Sequence, residues 1–207
     1  MLCVELLHKG DNMAEENAPP PKPAPKAPPK PPATMAATPW EGDFPQTLKG
    51  VFGDGIVQAA TYLGQNFLVV QPGSVAPVIT FLRNEASFDY LVDLTAVDLL
   101  KKGAPEKPER FELVYILYSF ARNERLRVKA SFVEGFHPQS VTGIYLTANW
   151  LEREVFDMFG IEFSGHPDLR RILLPEDWQG YPLRKDYALL GQDQRWVQEN
   201  LGIESGQ

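Results

Sequence analysis

The stretch FELVYILYSFARNERLRVKASF, residues 111–132, decides the fold class. Phe111 to Phe120 is a run of aromatic and aliphatic residues with the β-branched content of a buried strand, and Arg125 to Phe132 alternates polar with apolar side chains as a half-exposed partner would. Ala121-Arg122-Asn123-Glu124 between them has the length of a hairpin connection. The pair predicts a sheet, and the flanking segments tell how it is covered.

Upstream, Phe88 to Asp98 carries alternation and β-branched residues and reads as a strand leading into the charged, proline-containing loop Lys101 to Arg110. Val75 to Asn84 has a helical pattern, with Pro77 tolerable only in a first turn. Asn66 to Gln71 is a short apolar run closed by Pro72-Gly73, a buried strand, and Phe52 to Leu63 shows a weak helical pattern. Downstream, Trp150 to Phe159 predicts the last helix, with Asn149 as its cap, Glu152 completing a capping box, and Gly160 where a left-handed C-terminal cap belongs. This order predicts an α+β domain over residues 40–163, a mixed or antiparallel sheet with helices packed on one face. An extended, partner-binding C-terminal strap over residues 164–207 follows it.

Ahead of Trp40, NAPPPKPAPKAPPKPPATMAATP (residues 17–39) is proline, alanine and lysine with Met35 as its one large apolar residue. Such a segment cannot bury enough surface to offset its ordering entropy, so residues 1–39 are expected to be a disordered tail, a semi-extended spacer. MAEENAPP from Met13 reads like a natural start. No leader with a cleavage site precedes it, and the absence of arginine from residues 1–39 argues against a transit peptide.

The 207 residues, 43% of them hydrophobic, suit one domain plus tails, and no window approaches the ~20 apolar residues that cross a bilayer. A formal charge of −7 with scattered cations argues against nucleic acid or anionic lipid as a partner. Cys3 is the single cysteine, so the chain can hold neither an internal disulfide nor an iron-sulfur cluster on four thiolates. A reducing bacterial cytoplasm is the expected setting.

On the last helix, Leu151, Val155, Met158 and Phe159 share one face, and Arg153, Glu154 and Asp157 gather opposite, as a solvated or interface face would. Glu152 falls on the flank of the apolar arc. It is either the capping-box partner of Asn149 or a semi-buried carboxylate that must find a donor. Glu154, Asp157 and His166 make a weak acid-base set with no nucleophile beside them, and His8, His137 and His166 lack metal-ligand spacing. Gly53-Asp54-Gly55 has neither the third glycine nor the preceding strand of a dinucleotide site. His166 before Pro167 reads as a hydrogen-bonding loop residue.

What remains is the strap, where Pro167, Pro175 and Pro182 forbid continuous helix while Trp178, Tyr181 and Tyr187 stand among Arg170, Arg171, Arg184 and Lys185. Aromatic anchors beside arginines are what docked interfaces use. Glu152, Arg153, Glu154, Asp157, Met158, Phe159, His166, Arg170, Ile172 and Leu173, continued by Pro175, Glu176, Asp177, Trp178, Gly180, Pro182, Leu183, Arg184, Lys185, Asp186 and Tyr187, closely resemble the diagnostic pattern of one family, the thirty-kilodalton or C-type subunit of respiratory complex I. The resemblance implies a cofactor-free subunit of the hydrophilic arm, peripheral to the cytoplasmic side of the bacterial inner membrane. Its neighbours would be the quinone-site D subunit and the B subunit with the terminal iron-sulfur cluster. FMN and the remaining iron-sulfur clusters would sit in other chains, and the assembly would carry electrons from NADH to quinone with proton translocation. The equivalent subunit of a membrane-bound hydrogenase or formate hydrogenlyase is the alternative. Partner-interface residues implied on this reading are Glu152, Arg153, Glu154, Asp157, His166, Arg170, Arg171, Trp178, Tyr181, Arg184, Lys185 and Tyr187, with no catalytic, cofactor-binding or metal residue.

Overall fold

The computed structural model describes residues 36–100, 108–187 and 198–199. In chain order the elements are β1 (Thr38–Pro39), α1 (Asp43–Phe52), β2 (Ile56–Tyr62), β3 (Gln65–Val70), α2 (Val75–Asn84), β4 (Tyr90–Asp98), β5 (Phe111–Ser119), β6 (Glu124–Phe132) and α3 (Ala148–Phe159). The strands form one sheet in the order β1-β2-β3-β6-β5-β4. It is mixed: β3 and β6 run parallel and the other neighbours antiparallel. The β5–β6 hairpin pairs in register from Phe111↔Phe132 to Ser119↔Glu124 and sits inside the sheet.

Period-two alternation decides which face is covered. Phe111, Leu113, Tyr115 and Leu117 of β5 and Leu126, Val128, Ala130 and Phe132 of β6 are buried, while the residues between them are half-exposed. Leu48 of α1, Val78, Ile79 and Leu82 of α2, and Val155 and Phe159 of α3 join those strand residues in one apolar cluster. All three helices therefore cover the same face. Each fully buried aliphatic side chain contributes about 1.5–3 kcal/mol, so this layer accounts for most of the driving force.

Val75–Asn84 is the predicted helix, with Pro77 in its first turn, and β3, β4, β5 and β6 lie within a residue or two of the strands read from the sequence. Two local readings are corrected. Phe52 to Leu63 is not one helix: α1 ends at Phe52, Gly53–Gly55 makes a single 3-10 turn with Gly53 at φ 52, and Ile56–Tyr62 is a strand. A bulge between Ile56 and Gln58 breaks the alternation there, which is why the strand signal was lost. Helix α1 itself, Asp43–Phe52, went unread. At the other end, α3 begins at Ala148 after Thr147 with no side-chain cap bond, so Asn149 and Glu152 do not form a capping box. Gly160 does close α3 in the left-handed conformation, φ 70.

Residues 160–187 carry no helix or strand and continue from α3 as turns, joined to the preceding loop by a bridge between Gln139 and Ser164. Residues 1–35, 101–107, 188–197 and 200–207 lie outside the described residues, and with them most of the expected N-terminal tail, most of the charged loop and much of the far end of the strap.

Candidate functional site

The site is built where the end of α3 meets residues 166–187. Asp157 projects from the helix side away from the sheet, yet is fully buried, because the returning chain lies over it. Its Oδ1 accepts from Arg171 Nη1 at 2.5 Å, and its Oδ2 accepts the backbone N–H groups of Ile172, Leu173 and Leu174 at 3.1, 2.8 and 2.9 Å. Burial works to raise the Asp157 pKa, but the three amides and the guanidinium outweigh it and hold the carboxyl below its ordinary value. Reading Asp157 as part of a solvated face with Arg153 is thus corrected. The helix is covered on two sides, and its acid pairs with a residue 14 positions on.

Arg171 also donates to the carbonyls of Asp157, Trp178 and Gly180, at 3.2, 3.1 and 3.0 Å. Arg153 reaches the same segment from the helix, Nε to the Arg170 carbonyl at 3.1 Å and Nη2 to the Arg171 carbonyl at 3.0 Å. A planar fork with five donors can span main-chain carbonyls in this way, and a lysine cannot. The Tyr181 ring packs between the guanidiniums of Arg171 and Arg184, 5.3 and 4.7 Å from its centroid, and edge-on to Phe156. It lies directly on Gly160, where any Cβ would overlap the ring. Glycine at 160 therefore answers two demands, the positive φ and the ring's approach.

A second cluster fastens the end of the segment. Arg184 Nε donates to the Phe159 carbonyl at 2.5 Å and its Nη1 to Glu134 at 2.8 Å. Arg110 pairs with Glu134 and, at 2.7 Å, with Asp186, while the Lys185 amide donates to the buried Asp98 carboxylate at 2.9 Å. Burial opposes ionisation of Arg110 and of Asp186, but it is outweighed by their mutual hydrogen bond together with the Glu134 carboxylate beside the arginine and the Arg110 and Arg184 charges beside the acid, so the arginine's pKa is raised and the carboxyl's lowered. Sequence reading missed Asp98, Arg110 and Glu134. They stand on three separate stretches, and only the fold collects them.

Glu152 is fully buried on the opposite flank of α3. Its Oε1 accepts the Val141 N–H at 2.7 Å, and its Oε2, like the Tyr115 hydroxyl, has no hydrogen-bond partner among the described residues. Burial pushes its pKa up to about 7, against the lowering effect of Ser140 and the Val141 amide. Of the two readings, the semi-buried carboxylate with a donor is the one the structure adopts. His166 is a loop residue: Nδ1 accepts the Asp168 N–H at 3.0 Å, leaving Nε2 to donate to the Asn149 carbonyl at 3.2 Å.

Besides the buried Glu152 and the loop residue His166, the predicted interface residues fall into two groups. Arg153, Asp157, Arg171, Tyr181 and Arg184 hold the chain's own main chain in place. Glu154, Arg170 and Lys185 have exposed side chains, Arg170 paired with Asp168 at 3.0 Å, and Trp178 and Tyr187 are half-buried. The inner group shapes the surface that the outer group presents. Chemically the inner group is a scaffold for the chain's own backbone. Among the described residues no group of acidic, histidine or cysteine side chains could hold a metal ion.

The chain is similar to several known proteins. The profile of the family "Respiratory-chain NADH dehydrogenase, 30 Kd subunit" matches residues 68–193. The C-type subunit of NADH-quinone oxidoreductase from Trichlorobacter lovleyi is 47% identical over 147 residues, 70% of this chain and 88% of that protein. Its counterpart in Rhodobacter capsulatus is 47% identical over 138 residues, 66% of this chain and 67% of that protein. Among solved structures, the trypsin-resistant fragment (1-134) of Nqo5 superposes with a TM-score of 0.53 at 31% identity, covering 61% of this chain and 98% of the fragment. A chain of the membrane-bound sulfane sulfur reductase, an archaeal respiratory membrane complex, superposes with a TM-score of 0.57 at 23% identity, over 78% of this chain and 93% of that one, which extends the likeness of fold.

Proposed function

Because the chain belongs to the family of the respiratory-chain NADH dehydrogenase 30 Kd subunit, we propose that it serves as a cofactor-free structural subunit in the hydrophilic arm of an NADH-quinone oxidoreductase. The assembly takes electrons from NADH through FMN and iron-sulfur clusters held by other subunits to quinone, coupled to proton translocation. This chain's part is to dock. Its partners are the quinone-site D subunit and the B subunit with the terminal cluster, and it lies peripherally on the cytoplasmic side of the bacterial inner membrane.

One observation carries the reading beyond family membership. The polar groups of the site, above all Asp157 and Arg171, are engaged with the chain's own backbone, so they fix the course of residues 170–187, as a structural role requires. A single cysteine agrees with clusters lying elsewhere. No helix among the described residues is long and apolar enough to cross a membrane, which suits a peripheral place. The relatives at 47% identity are C-type subunits of NADH-quinone oxidoreductase, whereas the 23% likeness to a sulfane sulfur reductase chain concerns the fold, so the NADH-quinone reading is preferred to a hydrogenase-type one.

The test is purification through a tag on this chain from detergent-solubilised membranes. Expected are stoichiometric D and B subunits, flavin and iron-sulfur absorbance, and NADH-quinone reductase activity in the assembly, with none of these in the isolated chain. Absorbance from flavin or clusters in the isolated chain, or NADH oxidation by it, would overturn the cofactor-free role.

A further inference from the structure

Among the described residues no helix covers the second face of the sheet, and its composition is not that of a simple solvent face. On β6 the outward residues are Arg125, Arg127 and Lys129, in register with Tyr118, Ile116 and Val114 on β5. On the other side, Phe67 of the parallel strand β3 lies beside Arg127. A column of three cations therefore runs between two apolar columns. Lys129 is neutralised by Glu112 at 3.0 Å. Among the described residues Arg125 and Arg127 have no carboxylate partner, and Arg127 Nε is buried without any hydrogen bond. Beside them Tyr62, Phe67, Arg127, Lys129 and Ala37 line a shallow recess of about 250 Å³.

A buried, unmet guanidinium donor is uncommon in a folded domain and calls for an acceptor. It is more notable in a chain whose net charge is −7. Outward residues two apart on a strand stand about 7 Å from each other, twice the ~3.3 Å rise. Carboxylates at alternate positions of an extended peptide repeat at the same distance, and the apolar columns offer seats for side chains between or beside them. An anionic membrane is a poorer match. Surface attraction of about 1 kcal/mol per cation calls for clusters of four to eight, and an acidic protein repels the same lipids.

Resting on the reading that the chain is a subunit of a larger assembly, we propose that this open face binds an acidic, extended segment of another polypeptide, whose carboxylates pair with Arg125 and Arg127. This interface is separate from the site at α3 and residues 166–187.

The experiment replaces the chromosomal copy with tagged variants and quantifies the subunits that co-purify from solubilised membranes. Arg125→Glu with Arg127→Glu should melt as the wild-type chain does, since neither arginine has an acid partner to lose, yet capture of the other subunits should fall about tenfold or more. Arg125→Lys with Arg127→Lys, which keeps the charge, should lose far less. With the photoreactive p-benzoylphenylalanine in place of Val114, cross-linking in the assembled complex should yield a peptide of another subunit with at least two Asp or Glu residues close together.

Unchanged capture by the Glu pair, a cross-linked peptide without acids, or a cross-link to a second copy or to this chain's own tail would each overturn the proposal. So would sedimentation of the wild-type chain with phosphatidylglycerol vesicles that the Glu pair abolishes. Should the Glu pair unfold, the Lys pair and the cross-link decide. A wild-type chain that captures no subunit at all would overturn the subunit reading itself, a result distinct from wild-type and Glu-pair chains capturing equally.

Discussion

Replacing Asp157 by alanine removes the acceptor of four hydrogen bonds in one step: Arg171 and the amides of Ile172, Leu173 and Leu174. Hydrogen bonds to a charged group contribute about 1.5–3 kcal/mol each, which would sum to more than the site can lose, because amides released at the surface are rehydrated. Breaking one partner of a buried ion pair costs about 3–5 kcal/mol, the better guide for a carboxylate with no exposed surface. Taking ~4 kcal/mol, and about 2–4 °C per kcal/mol for a domain of this size, the melting temperature should fall by roughly 8–16 °C. Asp157→Asn, which keeps one amide acceptor but no charge, should fall about half as far.

Thermal unfolding followed by circular dichroism measures this, and trypsin provides a local readout. Cleavage after Arg171 should be slow in the wild-type chain, where the guanidinium makes an ion pair and three carbonyl bonds, and fast in both variants. If the alanine variant melts within about 1 °C of wild type and resists trypsin equally, Asp157 does not hold residues 171–174 against the helix.

Glu152 should make stability fall as pH rises. Its folded pKa, about 7, lies above the ordinary 4.5, so the native state retains a proton that the unfolded chain releases; the contribution is full below pH 4.5 and is lost as pH rises through 7. At about 1.4 kcal/mol per unit the change is at most about 3–4 kcal/mol, and Glu152→Gln, a mimic of the protonated acid, should flatten it; a denaturant series from pH 5 to 8 with equal slopes for both proteins contradicts this. Gly160→Ala must tolerate positive φ and push Tyr181 aside, so a loss of about 1–3 kcal/mol is expected, with faster trypsin cleavage after Arg171 and Arg184; an unaltered melting curve would show that the ring's seat is slack. Truncation after Gly165 should abolish co-purification of other subunits, and normal assembly of the truncated chain would refute docking through residues 166–187.

The sequence by itself determined the parts whose signal is local. The apolar run of Phe111 to Phe120 and the alternation of Arg125 to Phe132 marked the central hairpin, because the side-chain period of a strand is two wherever one face is covered. Val75–Asn84 and Gly160 were legible for the same kind of reason, a helical period and a cap that glycine alone fills without strain. Resemblance in residues 152–187 pointed to the family without any structure. Local signal failed at Ile56–Tyr62, where a bulge interrupts the period. Only the tertiary structure decided the charges. Asp157 looked solvated because a helical wheel has one buried side, whereas the chain's return over α3 gave it a second and brought Arg171 to it. Glu152 stood open between a cap and a semi-buried carboxylate, and the loop before α3 decided it by setting the Val141 amide against it. Which carboxylate is buried, and which cation answers it, depends on segments distant in the chain meeting in space, and no period in the sequence encodes that meeting.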